Sequence, residues 1–142
     1  MRVARQFLIS IVFACIASQA FAFDATTRLT NVPLSEQDIA SLLTRGLSKQ
    51  FDTVFPEQTY GIRVIAFSRD IGSQQEAVYL SLGLSRRLPD GRYLSPHASD
   101  STILTQGSGL SLAQKRANLV AALTSLASEF DKAMLARRAT VK

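Results

Sequence analysis

Residues 76–87 read EAVYLSLGLSRR, and this stretch narrows the fold more than any other in the chain. Val78, Leu80, Leu82 and Leu84 recur at every second position, with Ala77, Tyr79, Ser81, Gly83 and Ser85 between them. Successive side chains of a strand point to opposite faces, so this pattern describes a strand with one face in a core. An apolar strand face has to be covered by another layer. The rest of the chain must supply that layer.

Two amphipathic stretches offer it. Residues 34–51, LSEQDIASLLTRGLSKQF, place Ile39, Leu42, Leu43 and Leu47 on one helical stripe ending at Phe51. Ser35 is positioned to cap this helix, with Asp38 three residues on and Leu34 and Ile39 at hydrophobic-staple spacing. Gly46 lies on the same stripe, where a missing side chain favours close packing on a sheet. Residues 111–139 form a second, longer helix opened by the Ser111/Gln114 capping pattern, with Leu112, Leu119, Leu123, Leu126, Phe130 and Met134 along one side.

Residues 60–70, YGIRVIAFSRD, are β-branched and aromatic and read as a strand, which GSQQ turns into the alternating one. LPDGRY then has hairpin chemistry, with Pro89 and Asp90 in the turn and Gly91 at a left-handed position. A third strand is expected at 92–95, broken by Pro96 and resuming at 102–105. Residues 23–32 show no clear period and read as an extended lead-in holding a short strand at most. The expected fold is an α+β two-layer sandwich: helix, three-stranded antiparallel sheet, long C-terminal helix. This order is similar, in topology alone, to that of several small envelope accessory proteins of Gram-negative bacteria.

The first 22 residues stand apart. Arg2 and Arg5 precede an apolar run, and Ala20-Phe21-Ala22 is the small-x-small pattern at which a secretory signal peptide is cut. The run is shorter than the roughly 20 residues of a membrane span. The expected organisation is therefore a signal peptide over 1–22, cleaved between Ala22 and Phe23, and one α+β domain over 23–142 with a frayed basic tail at 137–142. A rival reading takes Val12–Cys15 as a lipobox and anchors the protein by lipid at Cys15. Phe13 stands where that motif prefers a small residue. Cys15 is the only cysteine, so cleavage after Ala22 leaves no thiol for disulfide, nucleophile or metal. A cysteine-free exported domain suits a bacterial periplasm, or secretion, better than an extracellular setting that relies on disulfides. The net charge of +5 is concentrated at the ends. With Arg2, Arg5, Arg137, Arg138 and Lys142 set aside, acids and bases balance. No basic stripe with interleaved aromatics marks a nucleic-acid site. Membrane contact is expected only through a lipidated Cys15 or an uncleaved leader.

No residue pattern here announces catalysis. Ser95, His97 and Asp100 hold the three chemistries of a triad within one short loop, and residues so close in sequence rarely reach triad geometry. One histidine and no mature cysteine leave Asp90, His97 and Asp100 short of a transition-metal ligand set. Glu36 and Asp38 belong to a helix start, and Glu129 and Asp131 read as a solvated helix face. No cofactor motif is present. What remains is a surface. Arg63, Ile65, Phe67 and Arg69 share one side of their strand, Tyr79 points the same way from the next, and Arg87 lies further along it. Aromatics and arginines are enriched at protein interfaces. Residues 23–32 or 52–59 folding over this patch would be the plainer outcome. The expected function is an exported, periplasmic, non-enzymatic interaction or accessory protein of the bacterial envelope, binding another envelope protein or a second copy of itself. An inhibitor or immunity protein blocking a periplasmic toxin is the alternative, with a small hydrolase using His97 third.

Overall fold

The computed structural model describes residues 25–139. The expected cleavage residues Ala20, Ala22 and Phe23, and Cys15, lie outside the described residues, as do residues 140–142. The order is β1 (Ala25–Thr30), α1 (Glu36–Gly46), α2 (Lys49–Val54), β2 (Tyr60–Gly72), β3 (Gln75–Arg86), β4 (Ala98–Gly107) and α3 (Leu112–Ala139). The strands form one sheet in the order β1-β2-β3-β4. β1 runs parallel to β2, and the other pairs are antiparallel.

The coarse α+β reading holds, while the sheet is four-stranded and mixed rather than three-stranded and antiparallel. The extra strand is β1, inside the stretch read as a lead-in. Its alternation is weak because Ala25, Thr27 and Leu29 face inward against Thr26, Arg28 and Thr30 outward, and only Leu29 is strongly apolar. Its place is set by the open edge of β2, with Leu29 opposite Ala66 and Arg28 opposite Ile65. A parallel pair needs a crossover, and the α1–α2 segment supplies it. The amended order no longer carries the topological likeness drawn from a three-stranded sheet.

The single helix expected over 34–51 is two. α1 begins as its sequence indicates: the Ser35 hydroxyl accepts from the Asp38 N–H at 3.1 Å, and the Asp38 carboxylate accepts from the Ser35 N–H at 2.9 Å. It stops after Gly46. Leu47 is extended, and Ser48 opens α2 by accepting from the Phe51 N–H at 3.3 Å. Asp131 of α3 holds this junction, accepting from both the N–H and the hydroxyl of Ser48 at 3.1 and 2.9 Å. Gly46 packs on α3 and not on the sheet. A Cβ placed there would stand 2.5 Å from the Ala127 Cβ, closer than real atoms approach. Asp131 is accordingly buried at 8% exposure rather than solvated, while Glu129 is exposed.

One face of the sheet and helices α1, α2 and α3 enclose the core. Ile62, Val64, Ala66, Val78, Leu80, Leu82 and Leu84 meet Ile39, Leu42 and Leu43 of α1, Phe51 of α2 and Leu119, Leu123, Phe130 and Met134 of α3. Phe51 stacks between Phe55 and Phe130, with ring centroids 4.9 and 6.0 Å away. Leu112, expected on the apolar face of α3, is the first residue of that helix and is 72% exposed. α3 continues through Arg137 and Arg138, where the sequence suggests a frayed end.

Candidate functional site

Among the described residues no helix covers the opposite face of the sheet. Register fixes what it presents. Phe67 of β2 pairs with Thr30 on one side and Tyr79 on the other, and Tyr79 pairs with Ile103 of β4. These four residues cross the sheet in one row. Phe67 is 43% and Ile103 67% exposed, and the Phe67 and Tyr79 rings lie 5.1 Å apart. One row over, Arg28 neighbours Ile65; beyond it, Thr26 neighbours Arg63. On the other side of Phe67 stands Arg69, opposite Ala77.

The expected patch residues Arg63, Ile65, Phe67, Arg69 and Tyr79 therefore do share a surface. Arg87 does not join it. It bridges to Tyr93 and lies with its guanidinium 5.9 Å from that ring centroid. Eight positions along a strand separate it from Tyr79, about 26 Å at 3.3 Å per residue. Two residues on the face escaped the sequence reading. Arg28 is placed by β1, which had no clear alternation. Ile103 is placed by β4, and the period-two step from Ser99 through Ser101 to Ile103 was its only signal.

Neither 23–32 nor 52–59 covers the patch in the described residues. Residues 25–30 become β1, and Phe55 turns into the core with Phe51. The segment that does fold back is the loop before β4. It turns at Pro89–Asp90 with Gly91 at φ 83°, where a side chain would be strained. The Leu88 N–H donates to the Arg92 carbonyl at 2.7 Å. It does not continue as the expected strand over 92–95. Only an isolated Arg87–Tyr93 bridge forms, and regular pairing begins at Ala98. The reason is local. Pro96 donates no hydrogen bond and sits on Gly83, and Tyr93 lies close enough on Gly61 that a Cβ there would be 2.3 Å from its ring. Two glycines thus let the loop cap one end of the helix-free face, and the Phe67 end stays open.

Two shallow hollows result, each of about 500 Å³, and Arg28 lines both. The open-end hollow is bounded by Ile65, Phe67, Tyr79 and Arg69. The loop-end hollow is bounded by Arg63, Arg92, Tyr93, Ser85 and Ser95. Arg92 is held by Asp90, Nε to Oδ2 at 2.7 Å.

The Ser95, His97 and Asp100 side chains do not assemble. His97 is exposed, its backbone N–H donates to the Leu84 carbonyl at 3.1 Å, and its ring stands 6.2 Å from that of Tyr60. Asp100 turns its carboxylate to the Ser101 N–H at 2.9 Å. No hydrogen bond joins the three side chains among the described residues. No cluster of three or more His, Cys, Asp or Glu able to hold a metal occurs among the described residues either.

Charge is organised quite differently on the helix side. Arg116 of α3 binds Asp38, and that hydrogen bond, with those from the backbone and hydroxyl of Ser35, holds the Asp38 carboxyl down at about 2. Lys115 reaches Glu76 at 3.2 Å, and Gln106 donates to Glu76 at 2.7 Å. Burial pushes the Glu76 carboxyl up, but hydrogen bonds from Gln106, Lys115 and Ser68 outweigh it and hold the group below its ordinary value. Burial, reinforced by the nearby charge of Glu57, raises Asp52.

Set against known protein families, curated proteins and solved structures, the chain matches none of them. Its function is therefore argued from its own surface.

Proposed function

We propose that this protein is an exported, periplasmic, non-enzymatic interaction module of the bacterial envelope, docking on another envelope protein through the helix-free face of its sheet. The observation that carries the reading is the row Phe67–Tyr79–Ile103. Phe67 and Ile103 are exposed and Tyr79 half-buried between them, in one line across three strands on the face opposite the buried core. Contiguous exposed apolar surface of this kind marks interaction sites, and an aromatic anchor contributes about 2 kcal/mol or more to such an interface. Export rests on the Arg2/Arg5 leader and the Ala20-Phe21-Ala22 signature.

The test is capture of partners from periplasmic extract by the tagged mature protein, beside its Phe67→Ser variant. A partner retained by the native protein and lost by the variant, with both melting alike, is the expected result. Equal capture by both removes the docking face. Intact mass of the exported protein tests the leader: a chain beginning at Phe23 is expected, and a diacylated Cys15 at the N-terminus would place the protein on a membrane leaflet instead.

A further inference from the structure

We propose that the occupant of the helix-free face is an acidic polypeptide segment with an aromatic or aliphatic side chain set between its carboxylates. This rests on the docking reading and supplies its chemistry. Strand parity sorts the charges. Arg28, Arg63 and Arg69 all point to the helix-free side, whereas Asp70, Glu76 and Asp100 of the same sheet occupy register positions of the helix side, opposite Glu76, Asp70 and Leu82. Among the described residues, none of the three arginines has an ion-pair partner and no Asp or Glu occupies a strand position on their face. The body of the chain is electrically balanced, so this face is basic by segregation and not by composition.

The spacing matches a segment more closely than a point ligand. Along β2, Arg69 stands two residues and Arg63 four residues from Phe67, about 7 and 13 Å at 3.3 Å per residue. The Ile65/Phe67/Tyr79 hollow, about 500 Å³, is large enough to receive an apolar side chain; Arg28 and Arg69 line it and Arg63 lines the next, and guanidinium groups are the donors that suit carboxylates, often by two parallel hydrogen bonds. A second copy placed face to face would set like charges opposite one another, which costs stability. A planar bilayer does not fill a hollow. Phe67 and Tyr79 lie against each other at 31°, which makes one apolar floor and not a series of separate platforms for successive bases.

An array of random peptides about ten residues long is the probe, followed by fluorescence anisotropy on the peptides it selects. Selection of Asp and Glu around Phe, Trp, Leu or Ile is expected. Affinity should fall about tenfold or more in Phe67→Ser and in Arg63→Glu/Arg69→Glu, and with salt raised from about 0.05 to 0.5 M. Lys132→Glu, an equal change per site on an exposed position of α3, should leave affinity unchanged, and the arginine reversal should come to prefer lysine-bearing peptides. The proposal falls if selected peptides lack acids, if Lys132→Glu weakens binding as much as the arginine reversal, or if nothing binds. It falls equally if phosphatidylglycerol vesicles or an oligothymidylate bind more tightly than any peptide, or if the protein instead dimerises through Phe67. If a Phe67-dependent partner is captured from the periplasm while the array selects no acids, docking stands and the acidic chemistry fails; if neither is seen, both fail.

Discussion

The two faces of the sheet are built from the same strands and differ in almost every physical respect. Beneath the helices, Val64, Val78, Leu80, Leu82 and Leu84 are wholly buried, and two acids of that side are held by cations of α3, Asp38 by Arg116 and Glu76 by Lys115. On the other side, Phe67 and Ile103 meet water, and Arg28, Arg63 and Arg69 have no ion-pair partner among the described residues. A side chain's face depends on whether its number is odd or even along the strand, so one step of register exchanges the two environments. The inner face has solved its problem within the chain. Among the described residues, the outer face is left with apolar area and positive charge that no other segment covers at the Phe67 end, although a proline and a tyrosine cover its other end.

The contrast predicts a graded set of responses to substitution. The largest belongs to the inner side. Phe130 is wholly buried against Phe51, 6.0 Å between centroids. Phe130→Ala should cost about 3–5 kcal/mol, the lost transfer energy plus a cavity, measured by urea unfolding. A loss under about 1 kcal/mol would mean that the helix layer is not packed as described.

Asp131→Ala comes next. Its carboxylate accepts two hydrogen bonds from Ser48 at the break between α1 and α2. Removing a charged acceptor from a part-buried site should cost about 1.5–3 kcal/mol. Asp131→Asn, which keeps an acceptor oxygen, should recover part of it. Equal losses for both variants would mean that the charge and not the acceptor holds the junction.

Smaller again is an effect of pH. Asp38 is held at about 2 in the folded protein by Arg116 and Ser35, against about 3.9 in an unfolded chain. A depressed carboxyl stabilises fully above the unfolded value and loses that contribution as pH falls toward the folded one. Glu76, also lowered, acts in the same direction. Native protein and Asp38→Asn should differ in melting temperature at pH 7, and the difference should close between about pH 4 and pH 2. A gap that persists unchanged to pH 2 would show that the loss in the Asp38→Asn variant is one of helix capping alone.

These contrasts also mark what the residues announced in advance. The inner face was legible because Val78, Leu80, Leu82 and Leu84 repeat without interruption, and both helix starts because Ser35/Asp38 and Ser111/Gln114 are local pairs whose partners lie three residues away. β1 was not, since one leucine among threonines carries little periodic signal and its strand state comes from the edge of β2. The break after Gly46 was hidden because its causes, Ala127 and Asp131, lie some eighty positions on in sequence. Asp131 itself looked solvated beside Lys132, though it falls next to Phe130 and one turn after Ala127, both buried. Most of the outer patch followed from parity along β2 and β3. Its arginine at position 28, and the error in assigning Arg87 to it, both turned on long-range pairing that no local pattern encodes.

The smallest expected effect is the one that most sharpens the difference between the faces. Ile103 sits on β4 at the end of the Phe67–Tyr79 row and is 67% exposed. Val78, one position before Tyr79 on β3, is wholly buried. Both residues are β-branched, and threonine is too, so strand propensity is nearly constant in either exchange. Val78→Thr places a hydroxyl in an apolar interior and should cost about 1–3 kcal/mol. Ile103→Thr removes an aliphatic end that already meets water and should change stability by no more than about 0.5 kcal/mol. If Ile103 serves the docking row, the same exchange should weaken capture of the periplasmic partner while the melting curve stays in place. Unfolding of both variants by urea, run beside the capture assay, decides it. A loss of about 1 kcal/mol or more in Ile103→Thr would mean that this end of the outer face is packed like the inner one. The division of the sheet into a structural side and a recognition side would then end at β3.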